Sequence, residues 1–111
     1  MSRRADGTVR DETPSLEELK RHGPTIRRLV RTERAANVRV FGSVARGEAT
    51  PTSDYDLVVD LDPDVRGFEA FDRLDRLERL LTQILGRSVH VVTARHDSDF
   101  TRRVRRDAVA L

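Results

Sequence analysis

The chain has 111 residues, 37% hydrophobic and 36% charged, with 21 Lys and Arg against 19 Asp and Glu for a formal charge of +2. That length and mix predict one soluble globular domain with a single core, and so small a net charge does not by itself imply nucleic-acid binding. The absence of Cys excludes disulfides, thiolate catalysis and zinc–cysteine sites, the absence of Trp argues against base stacking on aromatic platforms, and no apolar run is long enough to cross a bilayer.

The basic residues are nearly all Arg, with Lys20 the only lysine. A guanidinium offers a planar fork to phosphate or carboxylate. Residues 1–7 lack the apolar run of a signal peptide, and a cytoplasmic location is expected. Residues 1–14 are polar and end in Pro14, which predicts a disordered tail ahead of one domain over 15–111. Ser15-Leu16-Glu17-Glu18 is a capping box that opens a helix. Gly23-Pro24 interrupts it, and Pro24 can open a second helical stretch with Ile26, Leu29 and Val30 on its buried face. Residues 38–41 read as a short strand. Gly42 and Gly47 bracket a segment that fits one helical turn, and 49–53 is a loop. A second strand is expected over 54–60, closed by Asp62-Pro63-Asp64 and Gly67. From Phe68 to Leu85 an amphipathic helix is expected, with Phe68, Phe71, Leu74, Leu77, Leu80, Leu81, Ile84 and Leu85 on its core stripe and Gly86 at its end. A third strand covers 88–93, and Phe100, Val104 and Ala108 mark a last helix. The order helix, strand, strand, helix, strand, helix predicts a mixed α/β or α+β sandwich.

Two features carry chemistry. Gly42-Ser43 follows a strand and leads into a possible helical turn; glycine lets a phosphate approach the backbone, and serine adds a hydroxyl donor. Asp54 and Asp56 sit at i and i+2 of a strand, so both carboxylates share one face with Cα atoms about 6.6 Å apart. That spacing can converge on a hard cation, and Mg²⁺ sites commonly combine one or two carboxylates with substrate phosphates. Taken singly, the first pattern is an ordinary strand-to-turn connection and the second a solvated strand face.

Together they are more specific. Phe41-Gly42-Ser43-Val44-Ala45-Arg46-Gly47-Glu48, followed by Ser53-Asp54-Tyr55-Asp56-Leu57, resembles the signature of the DNA polymerase beta-like nucleotidyltransferase superfamily, and within it the minimal nucleotidyltransferases that serve as antitoxins beside HEPN-type toxins. The resemblance is strongest over residues 38–60 and runs on, more weakly, through Gly86-Arg87-Ser88-Val89-His90-Val91-Val92-Thr93. It implies an α+β fold with a small mixed sheet flanked by helices. It further implies ATP gripped at Gly42 and Ser43, Mg²⁺ held by Asp54 and Asp56, and transfer of AMP to a hydroxyl, typically a tyrosine of a cognate toxin. Direct nucleic-acid binding is not expected.

The departure is at the third carboxylate. The superfamily takes it from the next core strand, where this chain has His90. A neutral imidazole is a poor Mg²⁺ ligand, yet histidine can act as a base near neutral pH; it can also be a half-buried strand residue with no role. Asp60 shares strand parity with the acids but lies roughly 13 Å from Asp56 along a regular strand, too far for a site whose ions sit about 3.5–4 Å apart. Asp62 and Asp64 read as a solvated acidic turn. Arg46 can reach a phosphate or cover the motif loop from outside. His22 and His96 read as surface residues, and Arg102, Arg103, Arg105 and Arg106 as a solvated face or part of a partner interface. Three functions follow: a nucleotidyltransferase that modifies a partner protein, a catalytically weakened antitoxin of the same fold that acts by binding, and a nucleic-acid-binding domain.

Overall fold

The computed structural model describes residues 12–94 and 99–111. Most of the expected tail, together with His96 and the side chain of Phe100, lies outside the described residues; Pro14, at the end of that tail, is buried. Ser15 Oγ accepts from the Glu18 amide at 3.0 Å and starts α1 (Leu16–Arg21). The break at Gly23-Pro24 occurs as expected, and α2 (Gly23–Thr32) carries Pro24 in its first turn, where a missing N–H costs nothing. Ile26 and Val30 are fully buried and Leu29 packs beside them.

Strand β1 (Ala35–Phe41) starts earlier than its apolar pattern suggests. Its ladder with β2 runs from Ala35↔Leu61 to Phe41↔Asp56, with a bulge between Ala36 and Arg39. Asn37 takes a φ of 57° in that bulge and donates to Asp60 Oδ2 at 2.8 Å. The bulge breaks the period-2 alternation, which hides the first half of the strand from sequence. Then come α3 (Gly42–Arg46), β2 (Tyr55–Leu61), α4 (Gly67–Leu85), β3 (Val89–Thr93), α5 (Asp99–Asp107) and β4 (Val109–Ala110). The sheet order is β3-β2-β1-β4. β1 runs antiparallel to β2 and β4, while β2 and β3 are parallel, with α4 as the crossover that parallel pairing requires. The architecture is thus the expected α+β one, a mixed sheet flanked by helices. The two-residue β4 was not foreseen; Ala108, expected in the last helix, falls between α5 and β4.

Tyr55, Leu57, Val59 and Leu61 alternate onto one face of β2 and form one core cluster with Leu19, Ile26, Val30, Leu77 and Leu81. The stripe on α4 needs correction. Phe68 is 90% exposed and Phe71 66%, and Ile84 is exposed as well. At about 100° per residue, Phe68 lies half a turn round from Leu77 and cannot share its face. The stripe that packs is Ala70, Leu74, Leu77, Leu81 and Leu85. Two further contacts fix α4. Its Thr82 Oγ1 and Glu78 Oε2 accept from the amides of Val89 (3.2 Å) and Val91 (2.9 Å) on edge strand β3. Arg73 and Arg76 both donate to Glu33, at 3.2 and 2.6 Å, and Glu33 is the buried carboxylate at the end of α2. Losing either arginine would leave that charge poorly compensated.

The two faces of α4 therefore respond unequally to truncation. Leu77→Ala should cost about 2–5 kcal/mol of stability, whereas Phe68→Ala should stay within about 0.5 kcal/mol. Urea denaturation of the two variants checks the phase of the helix.

Candidate functional site

The three strands that meet at the site are in register. Phe41 pairs with Asp56, and Asp56 pairs with His90, so these residues form one row across β1, β2 and β3. Asp56 is on the face of β2 opposite the main core, since Tyr55 and Leu57 point into that core. The chain leaves the row at Gly42 with φ 77°, a left-handed conformation that favours glycine. A Cβ on Gly42 would lie 2.7 Å from Asp56 Oδ2. The missing side chain is therefore what lets the backbone of α3 sit against the Asp56 carboxylate.

Asp54 lies one residue before β2, not inside it as expected. His90 Nε2 is 3.2 Å from Asp54 Oδ2. An ionised carboxylate only accepts, so Nε2 carries the proton in that contact and Nδ1 is the nitrogen left to take one. His90 is exposed and faces the two acids, while its neighbours Val89 and Val91 are buried. Burial pushes the Asp56 carboxyl above the usual aspartate range; His90 opposes this and the nearby Asp54 charge adds to it. Ser43 Oγ donates to Ser53 Oγ at 3.3 Å, and Ser53 Oγ in turn accepts from the Thr50 amide at 2.9 Å. The loop before Asp54 is thereby tied to the start of α3.

The structure thus brings Gly42, Ser43, Asp54, Asp56 and His90 together. Arg46 faces outward, in ion pairs with Glu48 at 3.0 Å and Asp107 at 3.9 Å. With Phe41, Gly42 and Arg103 it lines a cleft of about 220 Å³ on the Gly42 side. A second cleft of about 400 Å³ opens on the His90 side, lined in part by Arg76, Arg79, Gln83 and Ser88. Asp60 takes no part: Asn37 and Arg39 hold it, at 2.8 and 2.7 Å. Asp62 pairs with Arg34 at 2.9 Å, so the acidic turn is only partly solvated. Sequence reasoning gave no role to Ser53 or Arg87, and it read Arg103 as part of a solvated face or a partner interface and not as a neighbour of Gly42. Arg87 was visible only as part of the collinear stretch after α4, and nothing local marks what it contacts.

Among the described residues, no group of three or more His, Cys, Asp or Glu side chains is placed to hold a metal ion by itself. Two hard carboxylates with a desolvated Asp56 do fit a divalent cation that takes its remaining oxygens from phosphates. The arrangement can place negative phosphate, cation and an incoming hydroxyl around one pair of acids.

The family model for the nucleotidyltransferase domain matches residues 24–109. A solved structure assigned as a minimal nucleotidyltransferase is 35% identical, over 88% of this chain and 97% of that one, with a TM-score of 0.73. A toxin–antitoxin structure with AMP-PNP matches at 22% identity and TM-score 0.65, covering 79% of this chain and 70% of that one. A complex of tri-AMPylated Shewanella oneidensis HEPN toxin with MNT antitoxin matches at 17% identity and TM-score 0.56, covering 82% and 69%. At these identities the last two establish a shared fold. No curated protein matches the chain significantly.

The strain on Asp56 is measurable. An acid that holds its proton to higher pH when folded than when unfolded costs stability once both states are ionised. Stability should therefore fall as pH rises out of the ordinary aspartate range, and Asp56→Asn should melt higher than wild type at neutral pH. Calorimetric melts from about pH 3 to 7, a span that starts below the ordinary aspartate pKa of about 3.9 and runs well above it, check the sign; a lower-melting Asp56→Asn protein contradicts it.

Proposed function

The chain belongs to the nucleotidyltransferase domain family, and on that premise we propose that it transfers AMP from ATP to a hydroxyl, such as a tyrosine, of a partner protein of the HEPN toxin class. One observation carries the reading. Gly42, stripped of a side chain, packs its backbone against Asp56 beside Asp54, so phosphate and carboxylates meet where a cation can join them. Asp54 and Asp56 would hold Mg²⁺, which when bound neutralises charge on the phosphates. Ser43 would donate its hydroxyl to a phosphate oxygen, and Arg46 and Arg103 border the same side. The acceptor would enter from the His90 side.

In the transfer, the hydroxyl oxygen bonds to the α-phosphorus as the bond from that phosphorus to the pyrophosphate oxygen breaks. Pyrophosphate leaves with that electron pair. The hydroxyl proton goes to His90 Nδ1 or to water. The partner class is supported by the kinship of fold with toxin–antitoxin complexes. A second reading has its own observation. His90 stands where the superfamily has a third acid, and it occupies an Asp54 oxygen. That favours a weakened enzyme that neutralises its partner by contact.

Radiolabelled ATP, Mg²⁺ and the product of the neighbouring gene separate the readings. Label on the partner is expected; a tight unlabelled complex would favour neutralisation by binding, and salt-sensitive retention of RNA or DNA would overturn both. Asp54→Asn and Asp56→Asn should each weaken metal-dependent ATP binding with the fold intact, and unchanged affinity in both would remove the metal-site assignment. Gly42→Ala should abolish nucleotide binding, because the new methyl collides with Asp56 Oδ2. Ser43→Ala should cost on the order of 1–3 kcal/mol, one hydrogen bond to a charged acceptor. For His90, a rise in transfer in His90→Asp marks a lost third acid. A fall in both His90→Asp and His90→Ala marks a base, and no change in either leaves a structural residue.

A further inference from the structure

We infer that Arg87 is the positioning residue for Asp54, an inference that rests on the nucleotidyltransferase reading above. Asp54 precedes β2, so no ladder hydrogen bond fixes it from its own position. Instead both peptide groups flanking it are held by the turn between α4 and β3. On one side, Arg87 Nη1 donates to the carbonyls of Ser53 at 2.8 Å and Pro51 at 2.9 Å. On the other, the Tyr55 amide donates to the Ser88 carbonyl at 3.1 Å. The second guanidinium nitrogen, Nη2, donates to the Glu12 carbonyl. Ser53, whose carbonyl Arg87 holds, also meets Ser43 through its hydroxyl. One half-buried guanidinium therefore sets the loop from which Asp54 projects and, through Ser53, its distance from the Gly42-Ser43 turn. The same short turn leads into His90, so the acid and its imidazole neighbour are placed from one anchor. A planar fork with several donors can hold several carbonyls at once, whereas an ammonium is a point charge on a flexible stem.

The test compares Arg87→Ala and Arg87→Lys with wild type in the full chain. In the metal-free proteins, NMR follows the amides of Asp54 and Tyr55 and the ring of His90. Calorimetry with Mn²⁺ and a non-hydrolysable ATP analogue gives the half-saturating metal concentration. Arg87→Ala should shift all three sets of signals and raise the metal midpoint about tenfold or more, the usual effect of losing an outer-sphere partner of a metal ligand. Arg87→Lys should lie between the two. A residue that merely stabilises the fold would lower the melting temperature and leave these readouts where they were. So unmoved signals, with a midpoint within about twofold of wild type, overturn the inference. If Arg87→Ala does not fold, Arg87→Lys alone carries the comparison by the same criteria. If wild type itself binds no Mn²⁺ and nucleotide, the nucleotidyltransferase reading fails, and the metal-free NMR still decides whether Arg87 places Asp54.

Discussion

The row Phe41, Asp56 and His90 across three strands sets the rest of the site. Its register is enforced from the other side of the sheet. A slip of one residue would turn Leu57 and Val59 out to water and drive Asp56 and Asp60 into the core. Hydrophobic burial on one face therefore positions the acids on the other, although none of the buried side chains touches the chemistry. The same row explains Gly42: the residue after Phe41 meets the Asp56 carboxylate head on, and only a residue without Cβ fits.

The charge balance around that row is unusual for so arginine-rich a chain. The guanidinium groups nearest in sequence are engaged elsewhere, Arg39 with Asp60, Arg46 with Glu48 and Asp107, and Arg87 with backbone carbonyls. Asp54 and Asp56 face an imidazole instead. Half-burying a carboxylate beside another costs free energy that a packed structure can carry only because the core below is complete. The strain sits where a bound cation would relieve it.

What was legible in the sequence was what is local. The capping box at Ser15, the Gly23-Pro24 break, the turn after Gly42 and the i, i+2 pair of acids depend on neighbours within a few residues. The family likeness of the collinear stretch put His90 at the position of the third acid, and the register adds that it pairs with Asp56. The features that were not legible depend on distant partners. Phe68 is a different case, since the half turn that separates it from Leu77 follows from helix periodicity and was open to the sequence. Two residues at 109–110 form a strand only because β1 offers an edge. Asn37 is a bulge only in relation to β2. Arg87 finds its carbonyl acceptors more than thirty residues away, at Pro51 and Ser53.

Edge strand β3 carries His90 and borders the candidate site, and an exposed strand edge ordinarily invites another strand to pair with it. Here two of its outward amides, Val89 and Val91, are already taken by Thr82 and Glu78 of α4. The sheet cannot be extended past His90 by an added strand unless those side chains let go. A protein acceptor of the kind proposed would therefore have to reach His90 by offering a side chain across the top of the strand, not by lending its backbone to the sheet. Recognition at this edge is thereby restricted to groups that project, such as a residue on a helix or at the tip of a loop.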